Sequence, residues 1–394
     1  MACREIKENI YAIGSVDWDR IFFDALIPLP HGTSYNAYLI KGSEKTALID
    51  TVDPTRFEDL KNNLIQAKVN KIDFVISNHA EQDHSGSLPQ ILDMFPGAQL
   101  VANQKCQNIL RELLEIPEER FTIINDRDTL SLGNKTLEFV FTPWVHWPET
   151  MVTYLREDHI LFSCDFFGSH LATSNLFTTD DPQVYQEAKR YYAEIMMPFA
   201  KTISKHLQTL KEFPIQMIAP SHGPIYKNPP FILEAYREWV SEDVKNEVVL
   251  LYISMHGSTE RIANYLIDAF IARGIDVKPF NLITADIGEI ALALVDAATL
   301  VFASPTFLMG MHPNMVYAAY LVNALKPKAK FAALVGSYSW SNKLSKQIEE
   351  LTNNLKLEFL SPVVIKGFPQ KPDFEELNHL ADTVLQKHQG LKLI

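Results

Sequence analysis

The sequence predicts two α/β domains in series, a mixed strand-and-helix domain over 1–245 and a doubly wound parallel sheet over 246–394. Three observations carry that division. The chain has 394 residues, enough for two or three domains of roughly 150 each. Near residue 245 the helical stretch from Phe231 to Val240 gives way to polar Ser241-Glu-Asp-Val-Lys-Asn-Glu247, and Val248-Val-Leu-Leu-Tyr-Ile253 follows at once as a buried strand. Beyond it strands alternate with helices, the pattern of a parallel sheet covered on both faces.

Composition narrows the function classes. A hydrophobic share of 47% with 21% charged residues fits a globular chain and excludes a disordered or fibrous one. The 48 acidic against 36 basic residues, net −12, argue against sequence-independent nucleic-acid binding, which needs clustered Lys and Arg. The richest apolar stretch, Ile287 to Ala303, is broken by Glu289 and Asp296, so no membrane span is expected. The N-terminus lacks an apolar signal core. Cys3, Cys106 and Cys164 form no C-x-x-C. That sparse set fits a reduced, cytoplasmic compartment and excludes a built-in zinc ribbon or rubredoxin-like iron site.

In the first domain, Phe74-Val-Ile-Ser77, Ile160-Leu-Phe-Ser-Cys164 and Met217-Ile-Ala219 read as buried strands. Each runs into a potential metal ligand: His79, Asp165 and His222 respectively. Strand ends are where a rigid scaffold converges side chains on one point. In the second domain the strand at 248–253 is followed by a helix from about Ser258 to Ala272. Ile262, Tyr265, Leu266, Ala269 and Phe270 give it one apolar face, and Gly274 is its stop. Further strands are expected at about 299–304, 330–336 and 361–366.

Asn78-His-Ala-Glu-Gln-Asp-His-Ser-Gly86 places His79, Glu81, Asp83 and His84 within six residues. In an extended loop His79, Glu81 and Asp83 cannot all serve one ion without a turn, and two adjacent ions share them more easily. His146 (in Pro143-Trp-Val-His-Trp-Pro148), Asp165 and His222 supply further ligands. A lone histidine is more often a hydrogen-bonded core or loop residue. Repetition of the strand-end placement argues against that for the set. His31, His159, His206, His379 and His388 lack partner motifs and read as surface or structural, Trp144 and Trp147 as packing around His146, and His170 as a residue that could line the pocket.

H-x-H-x-D-H at a strand end, with later single His, Asp and His ligands, resembles the metallo-β-lactamase-fold hydrolases. Glu81 stands where that pattern has its second histidine. With Gly32-Thr-Ser-Tyr-Asn-Ala-Tyr38 and His146-Trp-Pro-Glu-Thr-Met151, the chain resembles the flavodiiron proteins (A-type flavoproteins) over essentially its whole length. That resemblance implies an N-terminal metallo-β-lactamase-like αββα sandwich followed by a flavodoxin-like doubly wound sheet. It implies two non-haem irons: His79, Glu81 and His146 on the one nearer the flavin, Asp83 and His222 on the other, and Asp165 bridging. His84 ligates in some members and turns away in others. The chemistry agrees, because carboxylate-rich mixed sites suit iron while zinc hydrolases use nitrogen-rich ligands. Three carboxylates and one bridging hydroxide offset two ferrous ions.

Ser254-Met-His-Gly-Ser-Thr259, between the strand at 248–253 and its helix, offers hydroxyls and free N–H groups to a phosphate. It has no lysine and is not G-x-G-x-x-G, so it fits neither a nucleoside triphosphate nor a dinucleotide. A monophosphate such as that of FMN fits; a plain N-cap turn is the ordinary alternative. Pro305, Thr306, Phe307 and Leu308 after the third strand, and Ser337, Tyr338 and Trp340 after the fourth, would join Ser254, Met255, His256, Gly257, Ser258 and Thr259 in the same crevice. These loops match the family's flavodoxin module in position. Ser339 and Asn342 stand where many members have glycine.

A di-metal centre and a flavin together imply electron transfer. FMNH₂ and a diferrous pair hold two electrons each. Four take O₂ to two waters, and two couple two NO molecules into N₂O and water. The resemblance further implies a head-to-tail homodimer, or a homotetramer of such dimers, and an external donor, rubredoxin or a reduced deazaflavin. Lys326, Lys328, Lys330, Lys343 and Lys346 near the Trp340 loop are the candidate basic patch for an acidic donor, set against an ordinary solvated face. Two other readings compete. One is a metallo-β-lactamase-fold hydrolase with an appended flavodoxin, which Glu81 argues against. The other is an electron carrier with a structural metal domain, which the open ligand set argues against.

Overall fold

The computed structural model describes residues 3–340 and 342–394. By contacts the chain divides into two units, Met1–Tyr192 with Phe199–Val240, and Ala193–Pro198 with Ser241–Ile394.

In the first unit, two seven-stranded sheets form from short apolar runs. One orders Arg4–Lys7, Ile10–Ala12, Tyr38–Lys41, Thr46–Ile49, Phe74–Ile76, Gln99–Ala102 and Phe121–Ile123, antiparallel through the first four and parallel thereafter. The second runs Thr129–Ser131, Thr136–Phe141, Met151–Leu155, Ile160–Cys164, Met217–Pro220, Ile225–Tyr226 and Phe177–Thr178. Alternation divides the faces of the first sheet. Ile40, Ile49, Ile76 and Val101 pack with Phe139, Leu155, Ile160 and Phe162 of the second sheet. Leu39, Leu48, Val75 and Leu100 pack instead with Leu60, Leu64, Leu88, Ile91 and Leu110, which lie on helices. The unit is the expected αββα sandwich.

In the second unit, parallel strands run in the order Asp276–Asn281, Lys245–Tyr252, Ala297–Phe307, Phe331–Tyr338, with Glu358–Phe359 and Val363–Lys366 both on the last. That is the 2-1-3-4-5 order of the flavodoxin-like doubly wound sheet. The Ser258–Ile271 helix buries Ile262, Leu266, Ala269 and Phe270, and the Gly274 N–H closes its end on the Ile271 carbonyl at 3.0 Å. The third strand outruns its predicted limits because its ladder continues through Ser304↔Gly336 and Pro305↔Ser337. Two expectations change here. Lys326, Lys328 and Lys330 precede the strand Phe331–Tyr338, whereas Trp340 follows it. Eight strand residues, about 26 Å, separate them, so only Lys343 and Lys346 remain beside the Trp340 loop. Lys330 also pairs with Glu242 at 3.1 Å. His388, read as surface or structural, is structural: it is fully buried, with Nδ1 2.8 Å from Asn246 Oδ1 and Nε2 2.8 Å from Thr299 Oγ1.

Candidate functional site

Each predicted metal ligand of the first unit leaves a fixed point of the sandwich. Asn78 donates its backbone and side-chain N–H groups to the Asp50 carboxylate at 2.8 and 2.9 Å and accepts from Thr153 Oγ1 at 2.7 Å. The chain after Phe74–Ile76 is therefore tied to both sheets before it reaches His79. Glu81 is extended and opens the short Gln82–Ser85 helix. This turn divides His79 and Glu81 from Asp83 and His84. Asp165 directly follows Ile160–Cys164, and His222 lies two residues beyond Met217–Pro220. Gly223 holds φ +80° there, and a Cβ would stand 2.0 Å from Ser169 Oγ, so only glycine fits.

The structure brings all seven residues together. Ligand atoms of His79, Glu81, His146 and Asp165 lie within 4.8 Å of one another, and Asp83, His84 and His222 form a second such group. Asp165 faces both. Its Oδ2 is 3.5 Å from the Nε2 atoms of His79 and His146, while Oδ1 is 2.9 Å from His84 Nε2 and 3.4 Å from His222 Nε2.

These atoms fit cations. Both oxygens of Asp83 and Asp165, both nitrogens of His84 and His222 Nε2 are buried without a hydrogen-bond partner. His222 Nδ1 is 2.6 Å from the Ser34 carbonyl, which can only accept, so Nδ1 carries hydrogen. In the neutral ring Nε2 is then a bare lone pair 3.2 Å from Asp83 Oδ2. Buried lone pairs facing one another are costly unless a positive charge lies between them. Protons fill that role when metal does not. Burial lowers the affinity of His146 and His222 for protons, but Asp165 with Glu81, and Asp165 with Asp83, outweigh it, lifting them to about 9 and about 10. The reciprocal effect holds Asp165 well below the usual carboxylate range despite burial.

Several neighbours carry roles that spacing did not reveal. Glu149 Oε1 lies 2.7 Å from His79 Nδ1. Its position three residues after His146, within the quoted motif, was the available signal. His170 is buried, its ring 4.8 Å from that of His222 and its Nδ1 2.9 Å from Thr33 Oγ1. Trp147 stands edge-on to His79 at 5.0 Å, whereas half-exposed Trp144 stacks on Phe199 and not on His146.

In the second unit, Ser254, Met255, His256, Ser258, Thr259, Pro305, Thr306, Ser337, Tyr338 and Trp340 line one cleft at the carboxyl ends of the strands. Ser339 and Gly367 line it too. Gly367 was missed because it comes from the fifth strand, whose loop carries no phosphate signature; its N–H donates to the Tyr338 carbonyl at 2.8 Å. Gly257, Phe307 and Leu308 sit on the same loops without lining the cleft. Gly257 adopts φ +84° immediately before the Ser258–Ile271 helix, leaving the helix's first N–H groups free for an anion. Thr259 Oγ1 meets Ser337 Oγ at 3.2 Å, tying two loops together under the cleft. Trp340 is 79% exposed and presents an apolar ring face at the rim of the cleft.

Comparison with known proteins covers both units. Residues 33–223 match the ODP family beta lactamase description and residues 250–379 match flavodoxin. A nitric oxide reductase of Moorella thermoacetica is 36% identical over 363 residues, 90% of this chain and 91% of that one. The structure of rubredoxin oxygen:oxidoreductase from Desulfovibrio gigas superposes with a TM-score of 0.95 at 28% identity, covering 98% of this chain and 99% of that one. The flavodiiron protein of Giardia intestinalis gives 0.91 at 30% identity, with 98% of each chain covered.

Proposed function

The chain belongs to the flavodiiron protein family, and from that premise we propose that it reduces O₂ to water, NO to N₂O, or both, at a non-haem di-iron centre, with electrons passed through FMN from an external donor. The observation that carries the reading is the doubled cluster of buried, unpartnered carboxylate oxygens and imidazole nitrogens around Asp165. Two irons and FMN, when bound, supply the redox chemistry, two electrons each. His79, Glu81 and His146 would hold one iron, Asp83, His84 and His222 the other, and Asp165 would serve both. The Ser254–Thr259 loop would take the FMN phosphate, with Tyr338 and Trp340 beside the ring. Domain limits of 1–245 and 246–394 accompany this reading.

The protein's own contribution is geometric and electrostatic. Carboxylates offset the cations, the fixed tautomers of His79 and His222 aim Nε2 inward, and burial keeps bulk water from competing. The Desulfovibrio gigas neighbour's name supports a rubredoxin-type donor. A head-to-tail dimer, pairing one chain's flavin with the other's irons, completes the proposal. We place the protein in the cytoplasm: its three cysteines are free, and among the described residues no helix is long and apolar enough to cross a membrane.

The test is anaerobic stopped-flow on metal-analysed protein, fully reduced and then mixed separately with O₂ and NO while flavin absorbance is followed. About two irons per chain and rapid flavin reoxidation are expected. Zinc in the centre with a flavin that stays reduced would return the chain to the hydrolases. Reduced rubredoxin and reduced deazaflavin, compared as donors to the oxidised protein, separate the two donor classes.

A further inference from the structure

We propose that Glu149 makes the two metal subsites unequal, so that the subsite of His79, Glu81 and His146 binds its ion more tightly than that of Asp83, His84 and His222. The inference rests on the paired-metal reading above. Each subsite has two imidazoles and one carboxylate of its own, and both share Asp165. Ligand charge therefore does not distinguish them. What stands behind the imidazoles does.

The Glu149 side chain is fully buried. Its Oε1 lies 3.1 Å from the Ala80 backbone N–H, which can only donate, and 2.7 Å from His79 Nδ1. The carboxylate thus accepts from both. His79 carries hydrogen on Nδ1 and presents Nε2 inward, 3.1 Å from Glu81 Oε2. Oε2 of Glu149 has no hydrogen-bond partner, so no other donor draws on its charge. Asn103 Nδ2 donates to the Glu149 carbonyl at 2.5 Å, fixing the residue from behind.

In the other subsite His222 has a neutral acceptor, the Ser34 carbonyl, and His84 Nδ1 is buried with no acceptor at all. A charged acceptor strengthens the opposite ring nitrogen as a donor to metal more than a neutral one does, and an unsupported ring gains nothing. Glu149 is a positioning residue: it touches the ligand, not the ion.

Anaerobic Co(II) titration of the metal-stripped, FMN-loaded full chain, followed by the visible d–d bands, tests this. The wild type should take up two ions in two steps about tenfold or more apart. Glu149→Gln keeps the shape and an acceptor oxygen, and should weaken the tighter step about 10- to 100-fold while leaving the weaker one unchanged. An unmoved tight step, or a loss confined to the weaker step, overturns the proposal while the paired centre stands. Two indistinguishable steps in the wild type also overturn it. Uptake of fewer than two ions sinks the functional reading itself, and the proposal with it. Should Glu149→Gln not fold, judged by circular dichroism and the thermal transition of the first unit, two other variants decide. The tight step must survive in His84→Ala and vanish in His146→Ala; the reverse pattern overturns the assignment.

Discussion

Both oxygens of Asp165 are committed, one to each group of ligands, and no other residue in the centre has that double role. Asp165→Asn removes one negative charge and offers N–H to nitrogens that must keep their lone pairs. Metal content measured by mass spectrometry should fall from about two per chain to below one, with FMN unchanged. Acid should empty the site as well. With His146 raised to about 9 and His222 to about 10, a metal ion must displace protons below those values. Apparent metal affinity should rise with pH through 9 to 10, about tenfold per unit for each proton displaced. The sign reverses for stability of the metal-free protein. These histidines have folded-state values above the unfolded one, so their contribution is full below about pH 6.5 and is lost as pH rises through 9 to 10. Denaturant midpoints of stripped protein across pH 6–10 check this. The clustering of these candidate ligands was legible, since metal chemistry demands particular residue types at strand ends. Glu149 was not, because a residue that acts through another's ring leaves no spacing of its own.

At the scale of elements, the cleft depends on two loops held at fixed separation by the Thr259–Ser337 hydroxyl contact. Thr259→Val removes a hydrogen bond worth about 1 kcal/mol and the anchor beneath the phosphate loop. FMN affinity should fall roughly five- to tenfold in a fluorescence titration, with metal content untouched. The sequence-based strands at 160–164 and 217–219 correspond closely to Ile160–Cys164 and Met217–Pro220, since a short, mostly apolar run marks a strand buried on both faces. The pieces at Ser15–Asp17, Phe22–Phe23, Ile27–Pro28 and Thr33–Tyr35 escaped notice. With two or three residues apiece they are too short to show any period. The ladder, not the local sequence, makes them strands.

For the whole molecule, two independent cores carry two cofactors, and the proposed dimer predicts a complementation. Asp165→Asn chains should hold too little metal to turn over, and a bulky substitution at Gly257, strained at φ +84° beside the first turn of the helix, should weaken flavin binding. Each alone should be inactive. Mixed in equal amounts under conditions of subunit exchange, they should regain up to about a quarter of the wild-type NO or O₂ consumption, because about half of the dimers are then mixed and each of those joins one flavin to one intact centre. No recovery would mean that electrons travel within a chain. The fold class was legible at this scale through alternation and the strand-end loops. The placement of Lys326, Lys328 and Lys330 was not, since nearness in sequence to Trp340 hid a full strand's length between them. The ladder that carries Pro305 and Ser337 into the cleft has a consequence of its own. Groups that would lie beside a bound flavin ring are braced by the central strands of the sheet, so they should rearrange little when the ring's charge changes. A flavin bound there should exchange electrons with a low reorganisation energy.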